Sequence, residues 1–168
     1  TTGDEAFFTA MSWTEGDFAC MGWLHPNAGS KGYYRFSLQP EELGVLLAAR
    51  GRLSLAERVG LVANLWASAR AGQLSPAALL DALSAFAGEW SAPVLDQLIA
   101  VMRGVDDALV DEQSRPAFRA LVAKALLPHK ARLGWASRVD DFASSSFERQ
   151  SVRAALGAVA RDPATLRE

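Results

Sequence analysis

The chain has 168 residues, 50% of them hydrophobic, with 17 basic and 19 acidic side chains and a formal net charge of -2. A chain of this length can bury about 70% of its unfolded surface, so one or two small domains with a real core are expected. The near-neutral balance argues against the basic stripe that neutralises phosphates, and no apolar run approaches the ~20 residues of a membrane span, so neither nucleic acid nor membrane is expected as a partner.

The β signals lie in residues 1–38. Ala6 to Trp13 is rich in aromatics, and Thr14 to Asp17 is a turn cluster. Phe18 to Leu24 puts Phe18 and Cys20 on one face and Ala19, Met21 and Trp23 on the other. Pro26 and Gly29 break the chain before Tyr33 to Leu38, where Tyr34, Phe36 and Leu38 share a face. Two or three antiparallel strands are expected, and so small a sheet is marginal by itself. The N-terminus has neither a basic n-region nor an initial Met, so an internal start is expected. Cys20 is the only cysteine, which excludes an intramolecular disulfide and fits a reducing, cytoplasmic setting. Its simplest role is that of a small core residue on a strand.

From Gln39 the apolar period becomes helical. Pro40 suits the first position of a helix that Gly51 should end. Ser54 and Glu57 form an S-x-x-E capping box for a second helix. Its stripe is Leu55, Val59, Val62 and Trp66, widened by Leu61 and Leu65, and Gly72 is the expected C′ residue. Ser75-Pro76 starts a third helix with Leu79, Leu80, Leu83 and Phe86. A fourth begins near Ala92 and carries Val94, Leu98, Val101, Met102 and Val105. A fifth contains Phe118, Leu121, Val122, Ala125 and Leu126, and Pro128 should kink or break it. A sixth spans about Ser144 to Arg161 with Phe147, Val152, Leu156 and Val159. Asp162-Pro163 then reads as the cap and first position of a further helix, so the chain is expected to be cut at this end too. The short connections predict antiparallel neighbours. The expected class is mainly α, with antiparallel helical hairpins in a superhelix or bundle after a small antiparallel β remnant.

The residues offer little chemistry. His25 sits in a Pro-Asn turn and His129 follows Pro128; neither has the companions of a zinc site, and no H-E-x-x-H occurs. No spacing brings Cys20 to a histidine as a nucleophilic pair. Ser144 to Ser146 suits a helix cap better than an attacking group, and Asp140-Asp141 suits a helix dipole better than an acid–base pair. Trp66 and Trp23 read as core residues. Catalytic, cofactor-binding and metal-binding residues are therefore all expected to be absent from this chain.

Three stretches in order resemble the zinc aminopeptidases of the puromycin-sensitive and aminopeptidase N type. Asn27 to Leu38, NAGSKGYYRFSL, is similar to the family's G-x-Y-R strand, which closes a small β-sandwich before the helical C-terminal domain. Glu57 to Gly72 resembles the helix D-R-x-x-L-x-x-D-x-F-x-L-A-x-x-G. There Arg58 and Leu61 match, Glu57 replaces Asp, and Trp66 takes the Phe position. Arg132 to Trp135, RLGW, looks like the end of a later helix, and Ala164 to Glu168 like the start of the next. Asn64 departs from the usual Asp, which puts a charged contact of that Asp in doubt; Ser37-Leu38 replaces Asn-Tyr.

The resemblance implies that residues 1–38 are the last strands of a β-sandwich and 39–168 the first part of a helical domain. It also implies that the chemistry lies elsewhere: the family's H-E-x-x-H…E zinc site, its G-x-M-E-N loop and its oxyanion tyrosine belong to an upstream catalytic domain, and none of those motifs occurs here. The chain would then be a non-catalytic piece that shapes and gates the peptide chamber of a zinc enzyme. Its partners would be the parent's other domains, the peptide substrate, and a second copy through an open sheet edge. The alternative is a stand-alone helical interaction module. Gly60, inside a helix at a cost of about 1 kcal/mol against Ala, is expected where a neighbouring helix packs closely.

Overall fold

Capping side chains and prolines set the helix starts in the computed structural model, which describes residues 22–136 and 143–167. Helix α1, Pro40–Ala48, has Pro40 in its first turn, and the Gln39 N–H donates to Glu42 Oε2 at 2.8 Å. It ends short of Gly51, and a 3-10 turn, Arg50–Arg52, follows. Helix α2, Leu55–Arg70, starts on the expected capping box: Ser54 Oγ accepts from the Glu57 N–H at 3.3 Å, and Glu57 Oε2 accepts from the Ser54 N–H at 2.7 Å. Gly72, at φ 73°, lets the chain leave α2. The Gly72 N–H reaches Ala69 O at 3.0 Å and the Gln73 N–H reaches Ser68 O at 2.9 Å, a Schellman closure that satisfies the last carbonyls.

Helix α3 is Pro76–Ser84, capped by Ser75 Oγ on the Ala78 N–H at 3.2 Å. Helix α4 is Ala92–Ala108, α5 is Arg115–Leu133, α6 is Ala143–Ala158 and α7 is Pro163–Arg167. Asp162 Oδ2 accepts from the Thr165 N–H at 2.8 Å, as its place before Pro163 predicts. Seven α-helices and two 3-10 turns, Ala28–Ser30 and Arg50–Arg52, are the elements among the described residues.

The packing is by alternate as well as successive helices. α2 lies against α4 and α4 against α6, while α3 packs on α2 and α5 on α6. One core runs through them, with Leu46, Leu61, Leu79, Val94, Val122, Val152 and Leu156 almost fully enclosed. Burial at about 1.5–3 kcal/mol for each such side chain outweighs the weak helix preference of the valines.

Several expectations give way to this packing. The buried face of α2 is Leu61, Val62, Asn64, Leu65 and Ser68, so Leu55, exposed, lies off it. On α6 the inward face is Glu148, Arg149, Val152, Ala155 and Leu156, and Phe147 points to solvent at 62% exposure. Pro128 does not break α5, which continues to Leu133. His129 and Leu133, just beyond it, are buried, and Pro128 itself is exposed. Their packing holds the last turn in place against a helix-interior cost of about 3 kcal/mol for proline.

The tight helix crossing is not at Gly60. A Cβ on Gly60 would meet Ser30 Oγ, in the turn before α1, at 3.0 Å. Gly104 on α4 is the position of close approach: a Cβ there would lie 2.8 Å from Trp66 Cζ2 of α2. Among the described residues Tyr33 to Leu38 has no ladder partner and there is no strand. Of its expected partners, Ala6 to Trp13 and Phe18 to Met21 lie outside the described residues, as do Cys20, Asp140 and Asp141.

Candidate functional site

The segment before α1 is held to α2 by side chains standing in for a sheet. Asn64, buried on α2, accepts from the Phe36 N–H at 3.1 Å and donates to Phe36 O at 2.7 Å, so its amide pairs with one residue's whole peptide edge. Ser68 Oγ adds a long contact to the same carbonyl at 3.4 Å. Asn27 does likewise locally, accepting from the Gly32 N–H at 2.8 Å and donating to Gly32 O at 2.9 Å. The Tyr34 hydroxyl donates to Pro26 O at 2.6 Å. Glu57 Oε1 accepts from the Gly29 N–H at 2.8 Å and ties the turn to the start of α2.

Between this segment and α2 lies a cleft of about 320 Å³, walled by His25, Ser30, Tyr34, Phe36, Gly60 and Asn64. His25 is buried, its ring edge-on to Phe36 with centroids 5.6 Å apart, and neither ring nitrogen has a hydrogen-bond partner. Ser30 Oγ is likewise buried and unpaired. Burial lowers the His25 pKa below the usual imidazole value, against an opposing pull from Glu57. Burial raises the Glu57 carboxyl, but the N–H groups of Gly29 and Ser54 outweigh it and hold that carboxyl low.

A second polar centre joins α5, α6 and the connection before α4. His129 is almost fully buried on α5, and its Nδ1 lies 3.7 Å from Glu148 Oε1 on α6. The same oxygen pairs with the Arg132 guanidinium, whose Cζ sits 4.8 Å from the Trp90 ring centroid. Trp90 in turn covers His129, with centroids 4.6 Å apart. Glu89, next to Trp90, pairs with Arg58 of α2 at 2.5 Å. Arg149, beside Glu148, donates to Leu133 O at 3.1 and 3.2 Å and caps the end of α5. Beyond it, Trp135 lies between Lys130 Nζ at 4.6 Å and Arg153 Cζ at 3.9 Å.

The two histidines therefore occupy separate centres, one at each. Among the described residues no three His, Cys, Asp or Glu side chains converge to hold a metal. Glu148 and Arg149 escaped sequence reading although they precede Val152 on the apolar stripe by four and three positions, which puts both on the inward face.

The family model for the ERAP1-like C-terminal domain matches residues 23–168. The chain belongs to that family. It is also similar to Aminopeptidase 2 of Candida albicans (strain SC5314 / ATCC MYA-2876), with 28% identity over 144 residues, 82% of this chain. The chain spans about 15% of the length of that relative.

The ERAP1-like domain here takes in the whole described fold except Gly22. The match includes the cleft, the Asn64 pairing and the His129 centre. The place where the resemblance raised a charged contact, Asn64, is filled by a neutral two-way pairing. None of the described helices is long and apolar enough to cross a membrane.

Proposed function

We propose that this chain is a non-catalytic part of a zinc-dependent aminopeptidase, forming a wall that shapes and gates the peptide chamber. The observation that carries this reading is the family match over residues 23–168, together with likeness to a relative named as an aminopeptidase. In this reading residues 1–38 end a β-sandwich and 39–168 open the helical domain, whose helices stack as antiparallel hairpins. The remaining domains of the parent hold the zinc, supply the chemistry that removes N-terminal residues from peptides, and bury the surface around Tyr33 and Tyr34. In this reading the parent works in the cytoplasm, which suits a chain with a single cysteine. Alone, the chain associates with itself through the open edge of its cut sheet; monodisperse monomer by light scattering at high concentration would oppose that.

The test is made on the full-length gene product. It should cleave an aminoacyl anilide, and a chelator should abolish that cleavage. Variants on the exposed face of this helical region should change turnover of long peptides more than that of the anilide. A full-length product without aminopeptidase activity would overturn the assignment to a peptidase. Equal effects on long and short substrates would overturn the gating role.

A further inference from the structure

The His129 centre has one carboxylate oxygen facing two bases. Glu148 Oε1 is bound by Arg132 and stands 3.7 Å from His129 Nδ1, a gap too long for a hydrogen bond. The two bases differ in their access to water. His129 is 2% exposed, whereas the Arg132 side chain is 44% exposed. Arg132 has a path to solvent, and His129 has none. Arg132 is also the guanidinium that lies over Trp90, and Trp90 is the ring that covers His129.

We propose that His129, Glu148, Arg132 and Trp90 form an acid-responsive latch: on mild acidification Glu148 exchanges Arg132 for His129, and Trp90 loses its cation and shifts. One proton moves from solvent to His129, whose Nδ1–H then closes on Glu148 Oε1. Arg132 keeps its charge and turns to water. The latch links the connection before α4 to α5 and α6, so its opening alters how those elements meet. This goes beyond the role of a passive wall.

Burial is the largest influence on His129 and disfavours its charged form, while the charged groups around the ring are divided. Arg132, on its own helix, opposes a second positive charge. Glu148, from α6, and Glu89, from the connection before α4, favour it. Glu89 is engaged with Arg58 and with the Ser91 N–H at 2.8 Å, and Arg149 donates to Leu133 O. Lys130 reaches Thr165 Oγ1 of α7 at 3.2 Å. Burial outweighs the two carboxylates and keeps His129 neutral in the ordinary range, which holds the latch closed at neutral pH.

The experiment is an NMR pH titration of the 168-residue chain that follows the His129 ring and the Trp90 indole N–H together, with His129→Gln as the comparison. The expected result is one midpoint, below the usual imidazole value, for both signals, and a Trp90 signal that no longer moves over that range in H129Q. A Trp90 signal that stays fixed while His129 titrates would overturn the latch, and so would movement that persists in H129Q. His129 remaining neutral until the chain unfolds would also overturn it. If H129Q does not fold, agreement or disagreement of the two midpoints in the unaltered chain decides.

Discussion

Asn64 and Phe36 are joined as two strand residues would be, except that one partner is a side chain. The amide of Asn64 meets both the N–H, at 3.1 Å, and the C=O, at 2.7 Å, of Phe36. At neutral pH a carboxamide presents donor and acceptor side by side in this way, and a carboxylate does not. Asn64→Asp is expected to destabilise the chain by about 1–3 kcal/mol at neutral pH, because the carboxylate cannot donate to the Phe36 carbonyl and is itself desolvated. The loss should shrink as the pH falls and the introduced carboxyl gains a proton, since a protonated acid again offers one donor and one acceptor. Urea unfolding of both proteins at neutral and acid pH checks this. A deficit that does not depend on pH would show that the donor is not what matters.

Gly104 is where α4 meets α2. A methyl group there would lie 2.8 Å from Trp66 Cζ2 and 3.0 Å from Trp66 Cε2, both rigid ring atoms. Gly104→Ala should cost about 1–3 kcal/mol through this overlap, against about 1 kcal/mol gained in helix propensity. A fall of a few degrees in Tm is expected. Gly60→Ala faces a single hydroxyl that can turn away, Ser30 Oγ at 3.0 Å, so its effect should be smaller. Thermal unfolding of the two variants side by side separates the positions, and a greater loss at Gly60 would contradict this picture of the helix crossing.

Ser54 and Glu57 give a test of local structure. Ser54→Ala removes the acceptor for the Glu57 N–H and should cost about 1 kcal/mol. Glu57→Ala should cost more, because Glu57 also holds Gly29 at 2.8 Å and so fixes the turn before α1. Denaturant midpoints measure both, and equal losses would mean that the tie to Gly29 contributes nothing.

Helix starts were legible in the sequence because they depend on neighbours within one turn. Pro40, Ser54-Glu57, Ser75-Pro76 and Asp162-Pro163 all act where they were expected. The inward faces were less legible, since hydropathy ranks Leu55 and Phe147 above Asn64, Ser68 and Glu148. Those polar groups are buried only because a partner distant in sequence satisfies each: Phe36 for Asn64 and Ser68, Arg132 for Glu148. A spacing pattern within one helix carries no trace of such partners. The same limit applied to the two glycines, where only the tertiary contact distinguishes Gly104 from Gly60. Tyr33 to Leu38 alternates as a strand does, and the segments expected to pair with it lie largely outside the described residues.

Acid should weaken the fold in two stages, and the signs follow from the shifted groups. His25 and His129 both take up protons less readily in the folded chain than at the ordinary value of 6.5, because burial disfavours the charged ring. Their contribution to stability is whole above the unfolded value and is lost as the pH falls through the folded ones, since the unfolded chain binds the protons first. A first decline is therefore expected to begin near pH 6.5 and deepen below it. Asp162, held low by the Thr165 hydroxyl and N–H, and Glu57, held low by Gly29 and Ser54, contribute above their ordinary carboxylate range. That contribution disappears at a more acid pH, as they are protonated in the folded chain. Unfolding free energies from urea titrations across this span measure the two stages. His129→Gln should remove part of the first stage and leave the second unchanged. An unaltered first stage in that variant, with His25 also replaced, would mean that neither buried imidazole is linked to folding.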